Sequence, residues 1–149
     1  MEFILKKLDE LSPVEVYKML QLRHDVFVIE QNCIYRDMDD KDYHSYHLLI
    51  IEDGKVLACC RLVEPGISYP EPSIGRVCSL KDKRMEGIGL KLMNEAMKVC
   101  NELWPGKDIL ISAQQYLEKF YLKFGFQTIS KPYMEDDIPH IKMIAKNQG

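Results

Sequence analysis

No apolar run in this chain approaches the roughly 20 residues of a membrane-spanning helix, and no secretory leader pattern opens it. Neither a membrane partner nor export is expected. A surplus of positive charge is also lacking: 20 Lys and Arg face 23 Asp and Glu, for a formal charge of −3. That balance argues against the broad basic surface with which proteins hold nucleic acid. Paired metal-ligand spacings are missing as well. His44-Ser45-Tyr46-His47 invites a metal reading with Cys59 or Cys60, but neither side offers the doubled spacing of a metal site, so no metal is expected. The five cysteines, Cys33, Cys59, Cys60, Cys78 and Cys100, are odd in number and irregularly spaced. They read as reduced thiols of a cytoplasmic protein, not as a disulfide framework. Internal repeats, low-complexity tracts and linkers are absent.

What remains fits one compact domain over residues 1–149, with 46% hydrophobic content. Phe3 to Leu8 reads as a strand. Ser12-Pro13-Val14-Glu15 is a capping box with proline at the first helical position, opening a helix to about Val28. Val16, Met19, Leu20, Arg23 and Phe27 share one side of it, which puts Arg23 at the border of an apolar face. Asn32 to Ser45 is polar and acidic, a loop or short helix. His47 to Glu52 and Val56 to Val63 flank Asp53-Gly54, a hairpin signal, and Glu64 to Ser73 is a Pro- and Gly-containing loop. Then come a strand from Ile74 to Leu80, a helix ending before Pro105, a strand from Ile109 to Ala113 and a helix from Tyr116 to Phe124. Gly125 caps that helix. Phe126 to Ile129 and His140 to Ala145 are strands around an acidic loop. Hairpins first and helix–strand alternation later imply an α/β (α+β) fold with a mixed sheet and helices on both faces.

The most informative stretch is Arg84-Met85-Glu86-Gly87-Ile88-Gly89. A strand that turns through glycines into a helix presents free backbone N–H groups at the positive end of the helix dipole, a ready anion site. Lys81, Lys83, Arg84 and Lys91 add local positive charge in an acidic chain, which points to a specific anionic ligand. No Gly-Lys-Ser/Thr ending makes this a nucleotide P-loop, and the third glycine of a dinucleotide fingerprint is missing.

Downstream, Phe120-Tyr121-Leu122-Lys123-Phe124-Gly125-Phe126 completes a pair of motifs. Together with the glycine turn it resembles the GNAT acyltransferase superfamily. Further blocks are Leu22-Arg23 with Val26-Phe27-Val28-Ile29-Glu30-Gln31-Asn32-Cys33, then Ile74-Gly75-Arg76-Val77, Ala113-Gln114, and Glu135-Asp136-Asp137-Ile138-Pro139-His140-Ile141. These look like the ElaA branch of that superfamily and are spread over nearly the whole chain. Met85 departs from the pattern, standing where many relatives have a second glycine. The resemblance implies a twisted, mostly antiparallel central sheet whose fourth and fifth strands splay apart to admit the pantetheine arm of acetyl-CoA. It also implies that Val77, Cys78, Ser79, Arg84, Met85, Glu86, Gly87, Ile88, Gly89, Leu90, Gln114 and Tyr121 hold that co-substrate.

Acyl transfer needs a neutral amine, a stabilised carbonyl oxygen and a protonated leaving thiolate. An alkylamine with a pKa near ~10 is mostly protonated at neutral pH, so a nearby carboxylate that takes its proton is useful. Glu30 is the first candidate base, the alternative being a solvated helix-end charge. Tyr121 is the candidate acid for the thiolate, the alternative being one more core aromatic. Backbone N–H groups around Val77 to Ser79 are expected at the carbonyl oxygen. Cys78 fits a small buried residue better than a nucleophile, since direct transfer needs no covalent step. His140 either handles a substrate proton or is structural. Arg23, Gln31, Glu135 and Asp136 are expected on the acceptor side, where Arg23 would hold a carboxylate of a small, zwitterionic amine. The expected enzyme is an N-acetyltransferase acting on a small-molecule amine or exposed amino group, as a monomer or homodimer. Two alternatives stay open: an acyltransferase resembling acyl-homoserine-lactone synthases, and a catalytically silent coenzyme-A-binding module.

Overall fold

In the computed structural model, which describes residues 1–147, the Asp53-Gly54 hairpin forms as expected. Both turn residues have positive φ, 51° and 74°, the combination a two-residue hairpin favours. It joins β2 (Ser45–Glu52) to β3 (Lys55–Val63). With β1 (Glu2–Lys7) and β4 (Ser73–Ser79) these strands make one sheet in the order β1-β2-β3-β4. The second sheet runs β5 (Ile109–Gln114), β8 (Ile138–Ala145), β6 (Phe126–Thr128), with β7 (Tyr133–Glu135) paired to β8.

From Val56 to Val63 every residue of β3 is buried, because both faces of the first sheet are covered. Leu49, Val56, Cys59 and Cys78 pack against Met19, Leu22 and Val26 on one face, under α1 (Pro13–Arg23) and the turns after it. On the other face Leu48, Ile50, Cys60 and Leu62 meet Leu92, Met93, Ala96 and Cys100 of α2 (Ile88–Leu103). Alternate residues of one strand thus feed two cores. None of the helices is long and apolar enough to cross a membrane among the described residues.

All the paired strands are antiparallel. The expected splay is present: β4 and β5 touch without forming a ladder, and Leu110 N–H donating to Pro72 C=O (3.1 Å) joins the two halves. The mixed sheet is therefore better described as two antiparallel halves parted by a slot.

Three elements differ from the sequence reading. The first helix keeps α geometry only to Arg23 and then widens over His24–Glu30, where Gln31 N–H reaches Val26 C=O (3.2 Å) and Cys33 N–H reaches Val28 C=O (3.0 Å). Such i→i+5 bonds make a π-helical segment. The last helix is short, α3 (Glu118–Leu122), preceded by a 3₁₀ turn. The acidic loop is instead a tight hairpin between β7 and β8, with Asp136 and Asp137 at φ 50° and 61° in place of the usual glycine.

Charge holds the stretch between the π segment and β2. Arg23, 1% exposed, donates to Asp37 Oδ2 (2.9 Å) and to both oxygens of Asp42 (2.9 and 3.1 Å). Arg61 grips Asp39 (2.5 and 3.0 Å) and Asp42 (3.2 Å), and Arg76 reaches Asp37 (2.8 Å) and Asp39 (3.3 Å). Arg23 therefore does not face a substrate: its fork is saturated inside the protein. Substituting Arg23→Met removes the buried cation that Asp37 and Asp42 share and leaves Arg76 and Arg61 as their remaining cationic partners. We expect a loss of about 3–5 kcal/mol in chemical denaturation, the usual cost of breaking a buried pair; a loss below about 1 kcal/mol would show that the network is dispensable. Burial raises the Asp39 pKa, but Arg61 and Arg76 outweigh it and hold the carboxyl below its ordinary value. Its contribution to stability is thus full above the unfolded value near ~3.9 and fades as pH falls through the folded one.

Candidate active site

The slot between β4 and β5 opens into a cleft of about 770 Å³. Its first wall is shaped by an irregularity in β4. Cys59 faces Cys78 and Arg61 faces Gly75, so Arg76 and Val77 together oppose Cys60 alone. This is a β-bulge, which bends the strand and leaves ladder groups unpaired. Arg76 sits there at φ 51°, a conformation that costs a non-glycine residue about 1 kcal/mol or more. Asp37 and Asp39 hold its guanidinium, which lies 5.5 Å from the Tyr35 ring centroid. Val77, Cys78 and Ser79 follow along the cleft wall.

After β4 comes a 3₁₀ turn, Lys81–Glu86, then Gly87 at φ 75°, and α2 begins at Ile88. Arg84 and Gly89 line the cleft, whereas Met85, Glu86, Gly87, Ile88 and Leu90 lie outside its wall. Met85 is 96% exposed, and the Ile88 side chain is in the core, so these positions offer backbone N–H groups and not side chains. A Cβ on Gly89 would lie 3.5 Å from the Phe120 ring.

Arg84 turns back from the glycine turn. It donates to both oxygens of Glu30 (2.5 and 2.9 Å) and to Ser79 C=O (3.0 Å). The Arg84 hydrogen bond holds the Glu30 carboxyl below its ordinary value, against a smaller opposing effect of burial. The Glu30 carboxylate is thus engaged as the ion-pair partner of Arg84. Its neighbours also cross the slot. Gln31 and Gln114 exchange two amide hydrogen bonds (3.0 and 3.1 Å), and the Cys33 thiol donates to Asp136 C=O (3.3 Å). Residues 30–33 thus strap the first half-sheet to the second.

Tyr121, on α3, lines the cleft floor with its ring edge-on to Phe120 and Phe126 (5.2 and 6.1 Å). Its hydroxyl has no hydrogen-bond partner among the described residues. Burial, with lesser effects from Cys60, Tyr116 and Cys78, pushes its pKa far above a free phenol's, so it stays protonated. Cys78 lies 3.6 Å from Cys59, sulfur to sulfur, and this contact together with burial drives its pKa well up. It is a small buried residue with little thiolate character.

The far wall comes from the β7–β8 hairpin. His140 Nδ1 is 2.7 Å from Ile138 C=O, and since a carbonyl only accepts, that nitrogen carries a proton. Nε2 is left 3.4 Å from Glu135 Oε2. Tyr133 stacks on the His140 ring (6.2 Å) and bonds Ser112 (2.5 Å). Of the acceptor-side residues expected, Gln31, Glu135 and Asp136 line the cleft with His140, and Arg23 does not. Sequence reasoning missed Tyr35, Arg61, Arg76 and their aspartates. The signal was there for Arg61: a lone arginine in an otherwise apolar strand requires buried carboxylates.

A family model for the acetyltransferase (GNAT) domain matches residues 8–146. The chain belongs to the GNAT acetyltransferase family. It is 38% identical to protein ElaA of Escherichia coli over 136 residues, covering 90% of this chain and 89% of ElaA. The ElaA crystal structure superposes with a TM-score of 0.91 at 36% identity, over 98% of this chain and 100% of that one. An acyl-CoA N-acyltransferase from Pseudomonas aeruginosa also gives 0.91, at 38% identity, over 97% and 99% of the two chains. A CoA-dependent acyl-homoserine lactone synthase shares the fold alone, with a TM-score of 0.72 at 18% identity, over 98% of this chain and 83% of that one. This GNAT chain is thus an acyltransferase-fold protein of the ElaA-like type.

The glycine turn generates a binding prediction. Gly87→Val forces a β-branched residue to positive φ, and Gly89→Val drives a branched side chain toward Phe120. Both should weaken acetyl-CoA binding at least tenfold by calorimetry. Wild-type affinity in both variants would place the coenzyme elsewhere.

Proposed function

We propose that this protein transfers an acetyl group from acetyl-CoA to the primary amine of a small molecule by direct attack. The observation that carries this reading is the unpartnered Tyr121 hydroxyl on the floor of a cleft that runs from the Arg84–Gly89 turn to His140. Acetyl-CoA would supply an activated thioester. Backbone N–H groups from Met85 to Leu90 would meet its pyrophosphate, and Arg84 would be shared between that anion and Glu30. The bulge N–H groups of Val77 and Cys78 would serve the carbonyl oxygen, where preorganised donors act most strongly. Tyr121 would hand its proton to the departing sulfur.

With Glu30 occupied, the base passes to His140. The proton on Nδ1 leaves the Nε2 lone pair facing Glu135. An incoming ammonium fits between these two acceptors, donating one hydrogen to the carboxylate and one to Nε2, which then keeps it.

The acyl-homoserine-lactone reading rests on fold alone. A silent binding module would not need a free phenol and a free imidazole nitrogen in one cleft.

Two measurements test the assignment. Tyr121→Phe keeps the ring's packing and removes the proton, so turnover should fall on the order of 10²-fold with little change in acetyl-CoA affinity. Survival within about threefold would mean another group protonates the sulfur. At neutral pH, His140→Asn should lower turnover on the order of 10²-fold and Glu30→Gln should lower it far less; the reverse pattern would return the base to Glu30.

A further inference from the structure

Two of the cations that line the cleft lack a carboxylate of their own. Arg84 is paired with Glu30, and Arg61 and Arg76 are paired with Asp37, Asp39 and Asp42. Arg36 and Lys41 also line the cleft, yet among the described residues neither side chain has a carboxylate or hydrogen-bond partner. In a chain with more acids than bases, two such cations in one concave wall call for an anion from outside.

Their place in the fold says which anion. Lys41 donates its backbone N–H to Asp39 Oδ1 (3.2 Å), and Asp39 grips Arg61 and Arg76. Arg61 faces Gly75 and Arg76 follows it, so this cluster sits near the middle of β4. Arg36 immediately precedes Asp37, which is bound to Arg76. The coenzyme turn begins only after Ser79, at the end of the strand. Gly75 and Ser79 are roughly 13 Å apart at about 3.3 Å per residue, so the cluster that carries Arg36 and Lys41 is set back from the coenzyme turn. On the second half-sheet, His140 Nε2, Glu135 and the unpaired Asp136 side chain supply the opposite charge.

We infer that the acceptor is a free amino acid: its amine is received by His140 and Glu135, and its carboxylate by Arg36 and Lys41. This rests on the transferase reading above and adds the substrate class. Arg36 and Lys41 take the role that Arg23 cannot fill, because they line the cleft and Arg23, sealed behind the aspartates, does not. The carboxylate anchor would leave the amine pointing at the slot, so binding energy remote from the reacting nitrogen fixes its approach.

The test compares the common amino acids with their carboxamides, which keep the amine and the shape but lose the negative charge. CoA release would be followed with wild type and with the double variant Arg36→Gln, Lys41→Gln, and calorimetry with acetyl-CoA would confirm that the variant is folded. In wild type, kcat/KM for at least one acid should exceed that for its amide by tenfold or more. The double variant should raise KM for that acid at least tenfold and bring the acid-to-amide ratio close to one. Amides accepted as well as acids by wild type, or a ratio unchanged in the double variant, would overturn the inference and leave the transferase reading standing. So would a preference for a phosphorylated amine such as phosphoethanolamine. If acetyl-CoA binds but no amine of any class releases CoA, the transferase reading itself fails and the inference falls with it.

Discussion

The arginine–aspartate lattice beneath the cleft is the constraint on which the rest of the site depends. Residues between the π segment and the 3₁₀ turn at Asp40–His44 have no strand or helix to locate them. Asp37, Asp39 and Asp42 are instead fixed by Arg23 from α1, Arg61 from β3 and Arg76 from β4. Removing such charges from water costs several kcal/mol per ion, and their mutual attraction does little more than offset it. What the lattice contributes is register. Each guanidinium fork accepts carboxylates in one geometry, so one arrangement of the loop satisfies all of them. Arg76 is also the residue at positive φ in the bulge, and its side-chain partners stabilise a backbone shape that its own Cβ disfavours. The direction of the Val77 and Cys78 N–H groups therefore depends on aspartates nearly 40 positions earlier in the chain.

The π-helical widening has a related consequence. One extra residue per turn rotates the end of the segment relative to a regular helix. Glu30, Gln31 and Cys33 then face the glycine turn, β5 and the β7–β8 hairpin in succession. Two half-sheets that share one backbone hydrogen bond at Pro72 need such a link, since the slot between them has no ladder to hold its width. The ion pair between Glu30 and Arg84 anchors one end of this strap.

Features set by neighbouring residues were legible in the sequence. The Ser12 capping box forms, with Glu15 N–H on Ser12 Oγ (3.1 Å) and Ser12 N–H on the Glu15 carboxylate (2.8 Å). The Asp53-Gly54 turn and the glycine turn into α2 appear where motif and spacing put them, and the strands splay as the family resemblance implied. Features that depend on distant partners were not legible. Arg23 stood at the border of an apolar helix face, and polarity alone suggested a ligand; only the fold reveals that Asp37 and Asp42 come to meet it. The β7–β8 turn was read as loop because two aspartates do the work usually left to Asn-Gly, and their cost at positive φ is borne by pairing along β8. The π widening has no local signature, being selected by what Glu30 and Gln31 reach.

Burial of Tyr121 seems at first to weaken its candidacy as an acid, because a phenol whose pKa is raised gives up its proton less readily. The relevant quantity is the difference between donor and acceptor. The sulfur it would serve leaves as a thiolate in the same slot, and desolvation penalises that anion by the same physics. Both values rise together, so the near match between a phenol and a thiol in water is retained inside. A thiolate generated away from water also has a strong demand for a proton, and Tyr121 is the hydroxyl on that floor with no competing protein partner. The high pKa of Cys78 fits the same picture: a neutral thiol beside the reacting atoms neither competes as a nucleophile nor repels a departing sulfur anion. Burial thus keeps Tyr121 and Cys78 neutral, which would leave the departing sulfur as the anion beside them in need of a proton.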